Sequence, residues 1–205
     1  LFFQVLFLIL NIINNIIKYK GKVMLGKKQM DVLLSIARNS IKSVFENKKI
    51  KLDNKELDEL GLNDIKTGAF VTLHLNGELR GCIGFIETNE PLPITVSKAA
   101  QLAAFNDYRF EPLSLDEFDK IKIEISVLSK PFKAKSYDEI EIGKHGLIVD
   151  EFGRKGLLLP QVATEWNMTH DEFLSAVCRK AGLDSNLWRK KFINLYLFTV
   201  EYFSE

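Results

Sequence analysis

An α+β fold, a mostly antiparallel sheet with flanking helices, follows from three features of the 205-residue sequence. Asn76-Gly77 separates two apolar-alternating runs, Phe70 to Leu75 and Glu78 to Ile83, the strongest short-range signal for a two-residue hairpin. Ile121, Ile123, Ile125 and Val127 alternate with Lys122, Glu124 and Ser126, the pattern of a half-buried strand. Helical segments lie between strands joined as hairpins, which separates this chain from a doubly wound parallel sheet.

In chain order, the first helix spans Met30 to Phe45. There Leu33, Ile36, Ala37, Ile41, Val44 and Phe45 recur at helical spacing. After the hairpin, the Ala-rich stretch Ile94 to Phe105 predicts a second helix. Ser114-x-x-Glu117, Ser136-x-x-Glu139 and Thr169-x-x-Glu172 have the form of capping boxes. Leu147 to Val149 and Gly156 to Leu159 read as a second strand pair, and Glu172 to Ala181 as a helix ended by Gly182. Leu195 to Phe203 reads as one closing strand. Trp166 and Trp188 are expected in a core or between lobes.

Composition limits function. Hydrophobic residues make up 46% and charged residues 27%, which suits a globular chain rather than a disordered one. The net charge of +1 gives no basic excess for tracking phosphates, so no nucleic-acid partner is expected. Two cysteines, Cys82 and Cys178, form no disulfide framework, and a reducing cytoplasmic location is the simplest reading. The three histidines, His74, His145 and His170, are not paired at ligand spacing, so no metal and no cofactor is expected.

Residues 1–23 stand apart. They are nearly all apolar up to Ile17, broken by Gln4, Asn11, Asn14 and Asn15, and followed by Lys18, Lys20 and Lys22. A membrane span wants about 20 apolar residues, and a signal peptide wants a basic start and a small-residue cleavage site. We therefore expect an apolar leader outside the native domain rather than a membrane anchor, with the domain running 24–205 and no membrane partner once the leader is removed. Without the leader, 25 basic residues face 27 acidic ones, a net −2.

Chemistry concentrates around Leu79-Arg80-Gly81-Cys82-Ile83-Gly84. An unbroken hairpin register pairs Leu75 with Glu78, Leu73 with Arg80 and Val71 with Cys82. Arg80 and Cys82 then share a face, about 7 Å apart. Arginine beside a thiol favours the reactive thiolate, whereas a cysteine on an apolar face is a small hydrophobe. Gly81 and Gly84 would leave bare backbone for a ligand or another chain. Asp107 and Arg109, two apart beside Tyr108 and Phe110, read as an anion site or a structural ion pair. His145 lies in a turn, a possible general base or a solvated residue. Gln161 and Glu165, one helical turn apart, share a face that is either functional or solvated. Cys178 falls on the apolar stripe of its helix.

Together these stretches resemble the AMMECR domain family, whose prokaryotic members are called AmmeMemoRadiSam system protein A. The resemblance runs from about Leu33 to Phe203 and rests on several stretches in order. They are Gly68 to Leu73, Leu79 to Gly84, Arg109-Phe110-Glu111-Pro112-Leu113, Ile125 to Leu128, His145 to Val149, Gly156 to Ala163 and Lys180 to Leu183. It implies an α+β fold of a larger and a smaller lobe, with Leu79 to Gly84 as the functional surface. It also implies partners, a Memo-type protein and a radical S-adenosylmethionine protein, but no defined reaction. The leader departs from the pattern, and Met168 stands where a tryptophan is usual.

Three readings follow. A binding or partner component would use Arg80, Gly81, Gly84, Asp107, Arg109 and Gln161 to hold an anionic small molecule or a peptide. A cysteine-dependent enzyme would use Cys82 as nucleophile, Arg80 as its electrostatic partner, His145 as base, and Glu165 or Asp107 as orienting acid. In a scaffold, the six-residue signature Leu79 to Gly84 would only pack lobe on lobe. The binding reading leads, because no base lies near Cys82 in sequence.

Overall fold

The computed structural model describes residues 24–205, so the 1–23 leader lies outside the described residues. Among those described, seven helices accompany two four-stranded antiparallel sheets, an α+β architecture. The chain divides into two compact units, 24–130 with Val200–Glu205, and Pro131–Thr199.

The first unit is built on a sheet of order β2-β1-β3-β8, with β1 at Ala69–Leu75, β2 at Glu78–Phe85, β3 at Lys122–Leu128 and β8 at Val200–Ser204. One face is core. Val71, Leu73, Ile123, Ile125 and Val127 are wholly buried there with Leu33, Ala37 and Ile41 of helix α1 (Lys27–Phe45). Helix α3 (Leu92–Phe105) adds Val96, Ala99, Ala100 and Ala103. Its small side chains let it sit close to the sheet. Two short helices, α2 (Asn54–Glu59) and α4 (Leu115–Phe118), complete the unit. Asp53 caps α2 by accepting from the backbone N–H groups of Lys55 and Glu56.

The second unit holds β4 (Phe132–Lys133), β5 (Gly146–Glu151), β6 (Arg154–Leu158) and β7 (Leu195–Phe198) in the order β4-β7-β5-β6. Helix α6 (His170–Lys180) buries Phe173, Leu174, Val177 and Cys178 against Leu147, Val149, Leu195 and Leu197. Helices α5 (Pro160–Glu165) and α7 (Leu187–Lys190) flank it. Two of the three capping boxes form as their sequence implies, at Ser114–Glu117 and Thr169–Glu172. At the third, Ser136 caps Asp138 while Glu139 turns to the N–H of Lys135.

Three expectations are corrected. The closing strand is two strands: β7 pairs with β4 and β5, β8 with β3, and Thr199 lies between them. Alternation runs through both and does not reveal which neighbour each pairs with. Trp166 is 74% exposed rather than buried, while Trp188 packs on the second core and donates from Nε1 to Ser175 Oγ at 3.0 Å.

The third correction is the hairpin register. Leu75 opposes Glu78 and His74 opposes Leu79, but Leu73 opposes Gly81 and Thr72 opposes Cys82. Arg80 is the extra residue of a β-bulge. The unbroken register would set Arg80 opposite Leu73, on the face covered by α3. The bulge moves the charge off that face and brings Gly81 onto it instead.

Candidate functional site

Gly81 is the contact that fixes the bulge. A Cβ there would lie 2.2 Å from the backbone oxygen of Ala103, so only glycine lets α3 come down on β2. Gly84 is filled in a different way: Phe70 crosses it, and a Cβ would lie 2.4 Å from the ring. Neither glycine presents the bare backbone that spacing alone had suggested.

The register also gives the other face of the sheet its chemistry. Cys82 opposes Thr72, Thr72 opposes Glu124, and Glu124 opposes Ser204, a polar row running across all four strands. The next row holds Gly84, Phe70, Ser126 and Tyr202, with Ser126 buried and Tyr202 64% exposed. Cys82 is half-buried, and the Thr72 hydroxyl donates to its sulfur at 3.2 Å. Cys82 thus shares a face with Thr72 and Glu124 and not, as an unbroken register implies, with Val71 and Leu73.

β2 is an edge strand, so the N–H and C=O of Cys82 point away from β1. The loop after α3 satisfies both. Asp107 Oδ2 accepts from the Cys82 N–H at 2.9 Å, and Arg109 Nη2 donates to the Cys82 carbonyl at 3.3 Å. Arg109 also grips Asp107 through Nε at 2.9 Å and Nη2 at 2.7 Å. The pair offers the edge one acceptor and one donor, as a neighbouring strand would, and thereby blunts it. Asp107 is buried, and the Arg109 guanidinium, with the Cys82 and Arg109 backbone N–H groups, holds its carboxyl well below the usual range despite burial. Tyr108, between them, is 94% exposed.

Arg80 is held in the same manner. Its Nε and Nη2 each lie 2.9 Å from a Glu117 oxygen, a two-pronged pair. Glu117 Oε2 accepts as well from the N–H and hydroxyl of Ser114, so one carboxylate both caps α4 and anchors the signature arginine. Its pKa falls to about 2, chiefly through the Arg80 guanidinium, and that of Arg80 rises through the same contact.

His145, Gln161 and Glu165 belong to the second unit. The His145 ring is buried, its Nδ1 accepts from the Glu141 N–H at 3.1 Å, and burial lowers its pKa. It therefore closes a turn. Gln161 lies in the first turn of α5 with its Oε1 enclosed and without a hydrogen-bond partner; Glu165 ends that helix exposed. Cys178 is fully buried, and burial pushes its thiol pKa up. Thr72 and Glu117 are the residues that sequence reasoning missed. The alternation of β1 could have found Thr72, and the capping box had already marked Glu117.

The AMMECR1 family model matches residues 34–203, which takes in both units and the whole signature. The chain belongs to the AMMECR1 family. An Aquifex aeolicus relative is 40% identical over 191 residues, covering 86% of this chain and 93% of its own. Protein TV1384 of Thermoplasma volcanium is 36% identical over 191 residues, covering 88% and 95%. The crystal structure of the uncharacterized Pyrococcus horikoshii protein PH0010 superposes with a TM-score of 0.75 at 37% identity, covering 85% of this chain and 90% of that one. In this AMMECR1 chain no helix among the described residues is long and apolar enough to cross a membrane.

Proposed function

We propose that this AMMECR1-family chain is a binding component that docks a Memo-type protein through the half-open sheet face around Cys82, Thr72 and Glu124. One observation carries the reading: every charged side chain at the signature is engaged within the unit. Arg80 is held by Glu117, and Asp107 and Arg109 hold each other and the Cys82 backbone. The thiol meets a threonine hydroxyl, which is no general base at neutral pH. This favours recognition over thiol catalysis, and a protein surface over a small anion, since both guanidinium forks are occupied. Docking beside a radical S-adenosylmethionine protein in a cytoplasmic assembly is the wider setting of this proposal.

Titration calorimetry of the purified Memo-type protein against the full chain tests it. Glu124→Lys reverses a charge on the face without touching the core, so the melting temperature should hold. Affinity should fall by roughly tenfold or more, the usual cost of misplacing a charge in an interface. No binding by the parent chain, or unchanged affinity of the variant, overturns the proposal.

A further inference from the structure

Four non-glycine residues among those described have positive φ: Asn47 at 51°, Asn76 at 54°, Asn167 at 46° and Phe152 at 53°. Asparagine is a common occupant of that region, because its short polar side chain bonds locally to the backbone. A bulky aromatic has no such compensation and is an outlier there. Phe152 and Gly153, with φ of 74°, form the two-residue connection of the β5–β6 hairpin, the one place where Asn-Gly is the ordinary choice.

The ring does not offset this by burial, for Phe152 is 73% exposed. The ring instead meets a cation, the ammonium of Lys191, 4.4 Å from the ring centre. Lys191 is steered there by Glu151, whose carboxylate it meets at 2.7 Å and which also accepts from the Asn194 N–H at 2.7 Å. The turn thus holds an aromatic ring outward on a fixed base.

The charges around it are unequal. Lys133 lowers the pKa of Glu151 alongside Lys191, Lys155 pairs with Asp150, and Arg154 follows the tip. Three cations, Lys133, Lys155 and Lys191, therefore meet the two carboxylates of Asp150 and Glu151, while Arg154 donates to the Gly182 carbonyl. Strain at an exposed residue, without burial to offset it, marks a side chain whose use lies outside its own unit.

We infer that the Phe152 tip is a protein-docking point, inserting its ring into a partner's apolar pocket rimmed by carboxylates. An aromatic side chain is a common anchor at the centre of an interface, with polar and charged groups at its rim. The inference does not rest on the Cys82 face, which lies in the other unit.

A photo-reactive benzoyl-phenylalanine placed at position 152 of the full chain, irradiated in living cells, tests it. One discrete protein adduct is expected, with the cross-linked peptide containing apolar residues and Asp or Glu. Its yield should drop by roughly tenfold when Lys133→Glu and Lys155→Glu are added, and should persist with Glu124→Lys. Separately, Phe152→Asn should melt at the same or a higher temperature. Lipid adducts, no discrete adduct, or a yield indifferent to the charge reversals overturn the inference. So does a lower melting temperature for Phe152→Asn, since the ring would then be stabilising its own fold.

Discussion

The two hairpins of this molecule share a connection and differ in what they do with it. Asn76-Gly77 joins β1 to β2, and Phe152-Gly153 joins β5 to β6, each with two consecutive positive φ values. Each hairpin also runs a glycine beneath the chain that packs on it. Gly81 lies under Ala103, and Gly156 lies under Ala181, where a Cβ would come within 2.5 Å of a backbone nitrogen. In the first hairpin the turn residue suits its conformation, and the irregularity is moved into the strand as the Arg80 bulge. In the second the strands stay regular, and the irregularity is a phenylalanine at the tip. An internal constraint, the close approach of α3, accounts for the bulge. No internal packing accounts for the tip, and this difference is why the two regions are read as different kinds of surface.

The largest effect should come from the glycine that underlies the comparison. Gly81→Ala drives a methyl group against a backbone oxygen that cannot move without α3, and should cost about 3 kcal/mol, the upper part of the overpacking range. Gly156→Ala should cost somewhat less. Urea titrations of both variants check the order, and a small loss at Gly81 would remove the stated reason for the bulge.

Next come the ion pairs. Asp107→Ala strands the Cys82 N–H and the Arg109 guanidinium, and should cost about 2 kcal/mol. That is below the 3–5 kcal/mol of a fully buried pair, because the Arg109 side chain is 43% exposed. Glu117 and Asp107 both have folded pKa values depressed below their unfolded ones. Their contribution is therefore complete above the unfolded value and is lost as pH falls through the folded one. For Glu117 that window runs from its ordinary 4.5 down to about 2. The melting temperature should fall across it, and Glu117→Gln should flatten the fall.

The smallest effect compares the turns directly. Phe152→Asn should gain up to about 1 kcal/mol, and Asn76→Phe should lose about the same. Melting curves of the two variants should move in opposite directions.

The elements with local signals were legible in the sequence. The Asn76-Gly77 turn, the alternation of β3, the amphipathic α1 and the boxes at Ser114 and Thr169 each announce themselves within a few residues. What the sequence hid depends on partners far along the chain. The bulge at Arg80 is imposed by Ala103 from the core side, and nothing within the strand announces it. The division of Leu195 to Phe203 into β7 and β8 is set by β5 and β3, not by its own pattern. For the site, the signature and the Asp107–Arg109 pair were found from residue type alone. Their roles were not, because the partner of each charge, Glu117 or the Cys82 backbone, is fixed only by the fold. His145 shows the converse: its position in a turn left a base and a solvated residue both open, and the fold buries the ring with Nδ1 on the Glu141 N–H.

Thiol footprinting shows directly whether the Cys82 face is a docking surface. The full chain is treated with iodoacetamide under native conditions, alone and with saturating Memo-type protein, and each cysteine is quantified by mass spectrometry. Alone, the half-buried Cys82 should be alkylated well before the fully buried Cys178, and the added partner should slow its modification severalfold. If Cys82 is modified at the same rate with the partner bound, or is as protected as Cys178 without it, the face is not where docking occurs.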